Sequence, residues 1–255
     1  MQLFVRDRGE GEPLLLLHGL FGSVDNLGGI TRNLESEYRV ISMDLRNHGR
    51  SQHKDGMDYS DMATDVAETL DTLEIESCHV YGHSMGGKTA MQLTLDRPER
   101  VRRLVVGDIA PVRYAHHHTQ ILKGMRAVAD SDAVSRADAE HILAPFVEEA
   151  DVLSFLLTNW RRDQEGRGYW RVGHDAIETD YDNIIAANHG AAVDTPVLFL
   201  RGSRSDYIQP EHREAILALF PQAIVRTIEG TGHWLHAEKP DLVARLISRF
   251  LSNEL

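Results

Sequence analysis

The chain has 255 residues, 42% hydrophobic and 26% charged, with a formal net charge of -12. That length and apolar content suit one soluble α/β domain, alone or carrying an insertion. The acidic balance argues against nonspecific nucleic-acid binding, which relies on clustered Lys and Arg, and no apolar run reaches membrane-spanning length.

Gln2 to Val5 read as a short opening strand, followed by a Gly9/Gly11/Pro13 turn. Leu14 to Leu17 form a continuous apolar run, the pattern of a strand buried on both faces in a parallel sheet. The run ends in His18-Gly19-Leu20-Phe21-Gly22, and Asn26 to Leu34 suit a helix. Tyr38 to Met43 give a second buried strand, entering the loop Asp44 to Ser51. Met62, Val66, Leu70 and Leu73 then recur at helical spacing, with Ser60 as the expected N-cap. Cys78 to Tyr81 and Leu104 to Val106 are further short strands, the second leading into Gly107-Asp108-Ile109-Ala110-Pro111. Cys78, the single cysteine, reads as a small buried filler; it excludes an internal disulfide and fits a reducing cytoplasm, as does an N-terminus without an apolar secretory segment.

Short strands alternating with amphipathic helices imply βαβ units and a largely parallel sheet. The rhythm changes over 112–192, where strand-like runs vanish and apolar residues fall at helical spacing; this segment is expected to be a mostly helical lid over the sheet edge. The expected core is therefore 1–111 with 193–255, the latter holding a strand from Val197 to Leu200, a helix from Pro210 to Leu219, a strand from Ile224 to Ile228 and a closing helix from Pro240 to Leu251.

Gly82-His83-Ser84-Met85-Gly86 reads G-x-S-x-G between a strand and a helix, the setting of a nucleophile elbow. A serine hydroxyl is a poor nucleophile at neutral pH and needs a base that an acid orients. Among fourteen histidines, His233 is favoured because it lies in the glycine-flanked loop after the last strand, where open α/β sheets gather their chemistry. His83 is expected to be structural. For the acid, Asp108 and Asp206 each follow a core strand, and the residues alone leave both open. An oxyanion would need two backbone N–H groups; Met85 follows the nucleophile, and Leu20 in the His18–Gly22 turn is the expected second donor. Other features weigh less. His116-His117-His118 is a poor metal site, since adjacent residues share no helix face and no carboxylates complete it. Asp44 and His48 read as a structural turn, Trp160 and Trp170 with Tyr169 as anchors of the insertion, and Arg161, Arg162 and Arg167 as a solvated face. No metal or cofactor is called for.

With these residues placed, the whole chain resembles the α/β-hydrolase superfamily. Asp44-Leu45-Arg46-Asn47-His48-Gly49, Asp108-Ile109-Ala110-Pro111 and Gly232-His233-Trp234-Leu235-His236-Ala237-Glu238 resemble the YbfF-type bacterial esterases and acyl-CoA thioesterases in particular. The resemblance implies a mostly parallel sheet flanked by helices with a helical cap. It also implies cytoplasmic hydrolysis of a small-molecule ester or thioester, and an acid matching Asp108 with Ser205 as its auxiliary. Asp206, beside Ser205, stays as an alternative or auxiliary acid. Rival readings are other chemistry on the same triad (a carbon–carbon hydrolase, lactonase or perhydrolase) and a non-catalytic binding protein on this scaffold.

Overall fold

A computed structural model describes residues 1–255. Its main sheet has seven strands in the order β1-β3-β2-β4-β5-β8-β9: β1 (Phe4–Arg8), β2 (Glu12–Leu17), β3 (Tyr38–Asp44), β4 (Cys78–His83), β5 (Val101–Gly107), β8 (Val197–Gly202) and β9 (Ile224–Ile228). Only the edge strand β1 is antiparallel; every other pairing is parallel. Leu14 to Leu17 are fully buried, as a strand covered on both faces requires. The opening strand sits two residues later than expected, because Phe4 to Arg8 pair in register with Asp44 back to Val40.

Helices cover both faces. The sequence expects one helix from Asn26, but a 3₁₀ turn over Val24–Leu27, capped by the Ser23 side chain, precedes α1 (Gly28–Leu34). Helix α2 (Tyr59–Thr72) starts before the expected Ser60 cap: the cap is Asp58, whose carboxylate accepts the Asp61 N–H at 2.7 Å. Helix α3 (Met85–Asp96) follows β4 directly. The core closes with α9 (Arg213–Leu219), α10 (Leu235–Glu238) and α11 (Pro240–Leu251).

Between β5 and β8 lie α4 (Thr119–Ala129), α5 (Arg136–Leu143), α6 (Ala150–Leu156), α7 (His174–Thr179) and α8 (Tyr181–Ile184). Strand is not absent there. A two-stranded antiparallel hairpin, β6 (Trp160–Arg162) with β7 (Gly168–Trp170), sits among the helices. Three residues per strand are too few for a visible alternation, and tertiary packing decides the matter: Trp160 and Trp170 meet edge to face at 5.0 Å, and Trp170 donates its indole N–H to Met125 O. The cap shares one hydrophobic cluster with the core, from Met125 and Leu156 through to Val106 and Phe199. No helix is long and apolar enough to cross a membrane.

Arg46, 2% exposed, fastens the end of β3 to α2: Nε meets Asp65 at 2.5 Å and Nη1 meets Asp61 at 2.9 Å and Gly56 O at 2.8 Å. The corrected cap yields a direct test. Asp58→Ala should lower unfolding stability by about 1 kcal/mol, whereas Ser60→Ala should stay within about 0.5 kcal/mol of the parent in a denaturant melt.

Candidate active site

In a parallel sheet the carboxyl ends of the strands lie along one edge, and four of them converge here. Ser84 follows β4, Asp108 follows β5, Ser205 follows β8 and His233 follows β9. His83 is paired with Gly107 and Gly107 with Leu200, so the first two residues beyond the ladder, Ser84 and Asp108, are neighbours; Ser84 N–H donates to Gly107 O at 2.9 Å and Asp108 N–H to Leu200 O at 2.8 Å.

Ser84 occupies the left-handed region at φ 52°, ψ -120°, a conformation that costs on the order of 1–3 kcal/mol for a non-glycine residue. The turn is so tight that a Cβ on Gly82 would lie 2.3 Å from Gly86 O, and one on Gly86 would lie 2.5 Å from both Leu17 O and His18 O. The two glycines are therefore a packing requirement. The turn leaves the hydroxyl at the head of α3, and Ser84 Oγ lies 3.0 Å from His233 Nε2.

The other imidazole nitrogen, Nδ1, lies 2.8 Å from Asp108 Oδ2. Asp108 is fully buried, with φ 52° of its own, and its carboxylate is otherwise satisfied by Gly202 N–H on Oδ1 at 2.8 Å and by a short bond from the Ser205 hydroxyl to Oδ2. Asp206, the other candidate acid, is exposed; its carboxylate accepts a bond from Gln209 Nε2 at 3.1 Å, and no hydrogen bond joins it to His233. Tyr207 is a participant that no motif marks: its ring stacks on the His233 imidazole at 3.9 Å and 21°, while its carbonyl accepts the Tyr114 hydroxyl at 2.5 Å. The sole signal in the sequence is its position two residues after Ser205.

Leu20 and Met85 line one small cavity of about 40 Å³ together with Ser84. Met85 opens α3, whose first N–H groups have no intrahelical acceptor, and Leu20 N–H has no acceptor in the protein. Two neutral histidines hold the Leu20 turn. His18 Nε2 accepts the Leu45 N–H at 3.0 Å and its Nδ1 donates to Gly19 O at 2.8 Å; His48 Nε2 accepts the Phe21 N–H at 3.1 Å and its Nδ1 donates to Arg46 O at 2.8 Å. Burial lowers His18 to about 4, and burial together with the neighbouring His18 lowers His48 to about 3. Asp44 completes this brace by accepting Val24 N–H and Arg50 N–H. His83, also buried and held well below its ordinary value, lies beneath the elbow and donates from Nε2 to His233 O at 2.8 Å.

The His116–His118 run splits: His116 lies 3.3 Å from Asp182, while His117 and His118 line the cavity beside Ser84 and His118 Nδ1 meets the Tyr181 hydroxyl at 2.7 Å. Trp160, Tyr169 and Trp170 border a separate open cavity of about 510 Å³ that contains none of the residues above. Arg161 and Arg162 are exposed, and exposed Arg167 pairs with Asp163 and Glu165. Cys78 is buried, with its thiol pushed up to about 12.

This fold and edge define a class. The family model for the alpha/beta hydrolase fold matches residues 12–240, and the chain belongs to that family. More particularly, the chain is 41% identical to Esterase YbfF of Escherichia coli strain K12, over 94% of this chain and 93% of that one. It is 38% identical to the mouse sn-1-specific diacylglycerol lipase ABHD11, over 94% and 80%. Among solved structures, a marine microorganism esterase superposes with a TM-score of 0.94 at 39% identity, covering 98% of this chain and 99% of that one.

The neutral brace sets a pH dependence. For a histidine whose folded value is depressed, the unfolded chain binds the proton more readily, so the stability it contributes is present above about 6.5 and is lost as pH falls towards 4. Between pH 7 and 5, denaturant melts should show a loss on the order of 2 kcal/mol for each of His18 and His48. His18→Gln should flatten that slope.

Proposed function

We propose that this protein is a serine hydrolase of carboxylic esters that works through an acyl-enzyme on Ser84. The observation that carries the reading is the continuous chain of contacts from Asp108 through His233 to Ser84, 2.8 Å and 3.0 Å long. His233 Nε2 removes the Ser84 proton as Oγ attacks the ester carbonyl, and the resulting imidazolium keeps its Nδ1–H bond to the Asp108 carboxylate. Leu20 and Met85 N–H groups receive the developing oxyanion. His233 then protonates the leaving alcohol, and on the second half of the cycle it activates the water that releases the acid.

The esterase relatives support ester cleavage, and the small cavity next to Ser84 favours short acyl groups. Acyl-CoA thioesters are a second substrate class on the same machinery, an extension that rests on the resemblance of the motifs to YbfF-type enzymes. A reducing, cytoplasmic setting fits the single, buried cysteine.

Ser84→Ala should lower hydrolysis of a p-nitrophenyl short-chain ester to background and abolish labelling by a fluorophosphonate probe; an unchanged rate in that variant would refute the mechanism. Asp108→Asn should reduce kcat about 10⁴-fold, whereas Asp206→Asn should stay within a few-fold of the parent. The reverse pattern would move the acid to Asp206. A thiol-release assay across acyl-CoA chain lengths decides the thioester extension, which total inertness would remove.

A further inference from the structure

Lys88 is the most unusual charged group in the molecule. It is 1% exposed, and its ammonium donates to Val112 O at 2.6 Å and, by a short bond, to Ala186 O. The rings of Tyr114 and Tyr59 lie 4.9 Å and 5.5 Å from Nζ. Buried ammonium groups are ordinarily paired with a carboxylate. Lys88 forms no ion pair, and no Asp or Glu lines the cavity it borders. Burial, with the like charge of Arg113 nearby, lowers Lys88 to about 7. Two of its three N–H donors are taken by carbonyls, which leaves the third without a protein acceptor.

That cavity is the one that opens on Ser84. Ser84 and Lys88 stand four residues apart at the start of α3, where Lys88 N–H donates to Ser84 O at 3.0 Å. Four residues of helix rise about 6 Å along the axis, and the lysine stem leans back towards the N-terminus that Ser84 caps. An acyl group of about four carbons spans that distance from a carbonyl at Ser84 Oγ.

We propose that the acyl group this cavity takes ends in a carboxylate, held by the Lys88 ammonium, so that the preferred substrates are half-esters of short dicarboxylic acids. The inference rests on the reading of Ser84 as the nucleophile of an ester hydrolase. Lys88 is then a specificity-determining residue: the carboxylate supplies the counter-charge that the fold omits, and a neutral chain of the same length leaves the ammonium unpaired.

The test compares monomethyl succinate with methyl butyrate, which differ chiefly in the terminal carboxylate and methyl. At about pH 6 the succinate is ionised and Lys88 is mostly protonated. Ligand-observed NMR titration of the Ser84→Ala protein should show the charged ester binding at least about tenfold more tightly. In the same background, Lys88→Met should bring the two affinities together. Equal affinities in the Ser84→Ala protein, tighter binding of methyl butyrate, or a preference that survives Lys88→Met would overturn the proposal. Should Lys88→Met fail to fold, the comparison in the parent lysine protein decides. Rates measured by pH-stat on the unaltered enzyme separate the two readings. Hydrolysis of both esters with no preference for the charged one removes the carboxylate site and leaves the esterase standing. Hydrolysis of neither removes the esterase reading, and the binding comparison still judges the carboxylate site.

Discussion

A fully buried carboxylate, that of Asp108, is the group on which the sheet edge depends. A buried carboxylate needs hydrogen-bond donors in place of its hydration. Here they come from three separate segments: Gly202 at the end of β8, Ser205 in the loop beyond it and His233 after β9. One side chain thereby sets the relative positions of the second half of the sheet edge, and its own backbone is held in the left-handed region to reach them. On the other side of the edge, the elbow glycines allow α3 to approach β2 so closely that Ser84 projects toward the same imidazole. The strain at Ser84 and at Asp108 is sustained by packing on both sides.

Histidine serves two purposes in this protein, and burial separates them. His18, His48, His83 and His236 are enclosed and held far below the ordinary imidazole value, so each has a fixed neutral form that supplies one donor and one acceptor at most. Three of them set backbone: His18 and His48 hold the turn that carries Leu20, and His83 holds the carbonyl of His233. His233 differs in having a side chain 24% exposed, one face covered by Tyr207, and ring nitrogens that meet side chains, Asp108 and Ser84, rather than backbone.

The cap contributes to this edge as well as covering it. Its first and last segments supply the two carbonyls that hold Lys88, and Tyr181 and Ile184 in α8 border the cavity next to Ser84. The lining beside Ser84 is therefore set by both segments of the chain, core and cap, in keeping with one fold hosting many chemistries through its pockets.

Much of the architecture can be read from the linear chain. Apolar runs such as Leu14–Leu17 and Val197–Leu200 are long enough and dense enough to specify doubly covered parallel strands, and G-x-S-x-G between strand and helix specifies a tight turn because both glycines face backbone. Spacing also singles out Ser84 and His233, for each lies just beyond a recognisable strand. What spacing does not carry is which distant side chains meet. Asp108 and Asp206 each follow a core strand, and only the tertiary structure shows the first bonded to His233 and the second exposed and bonded to Gln209. The cap hairpin, the Tyr207 stack and the unpaired burial of Lys88 share that origin. Each depends on contacts with residues or segments whose positions are fixed by packing, which local propensity does not encode.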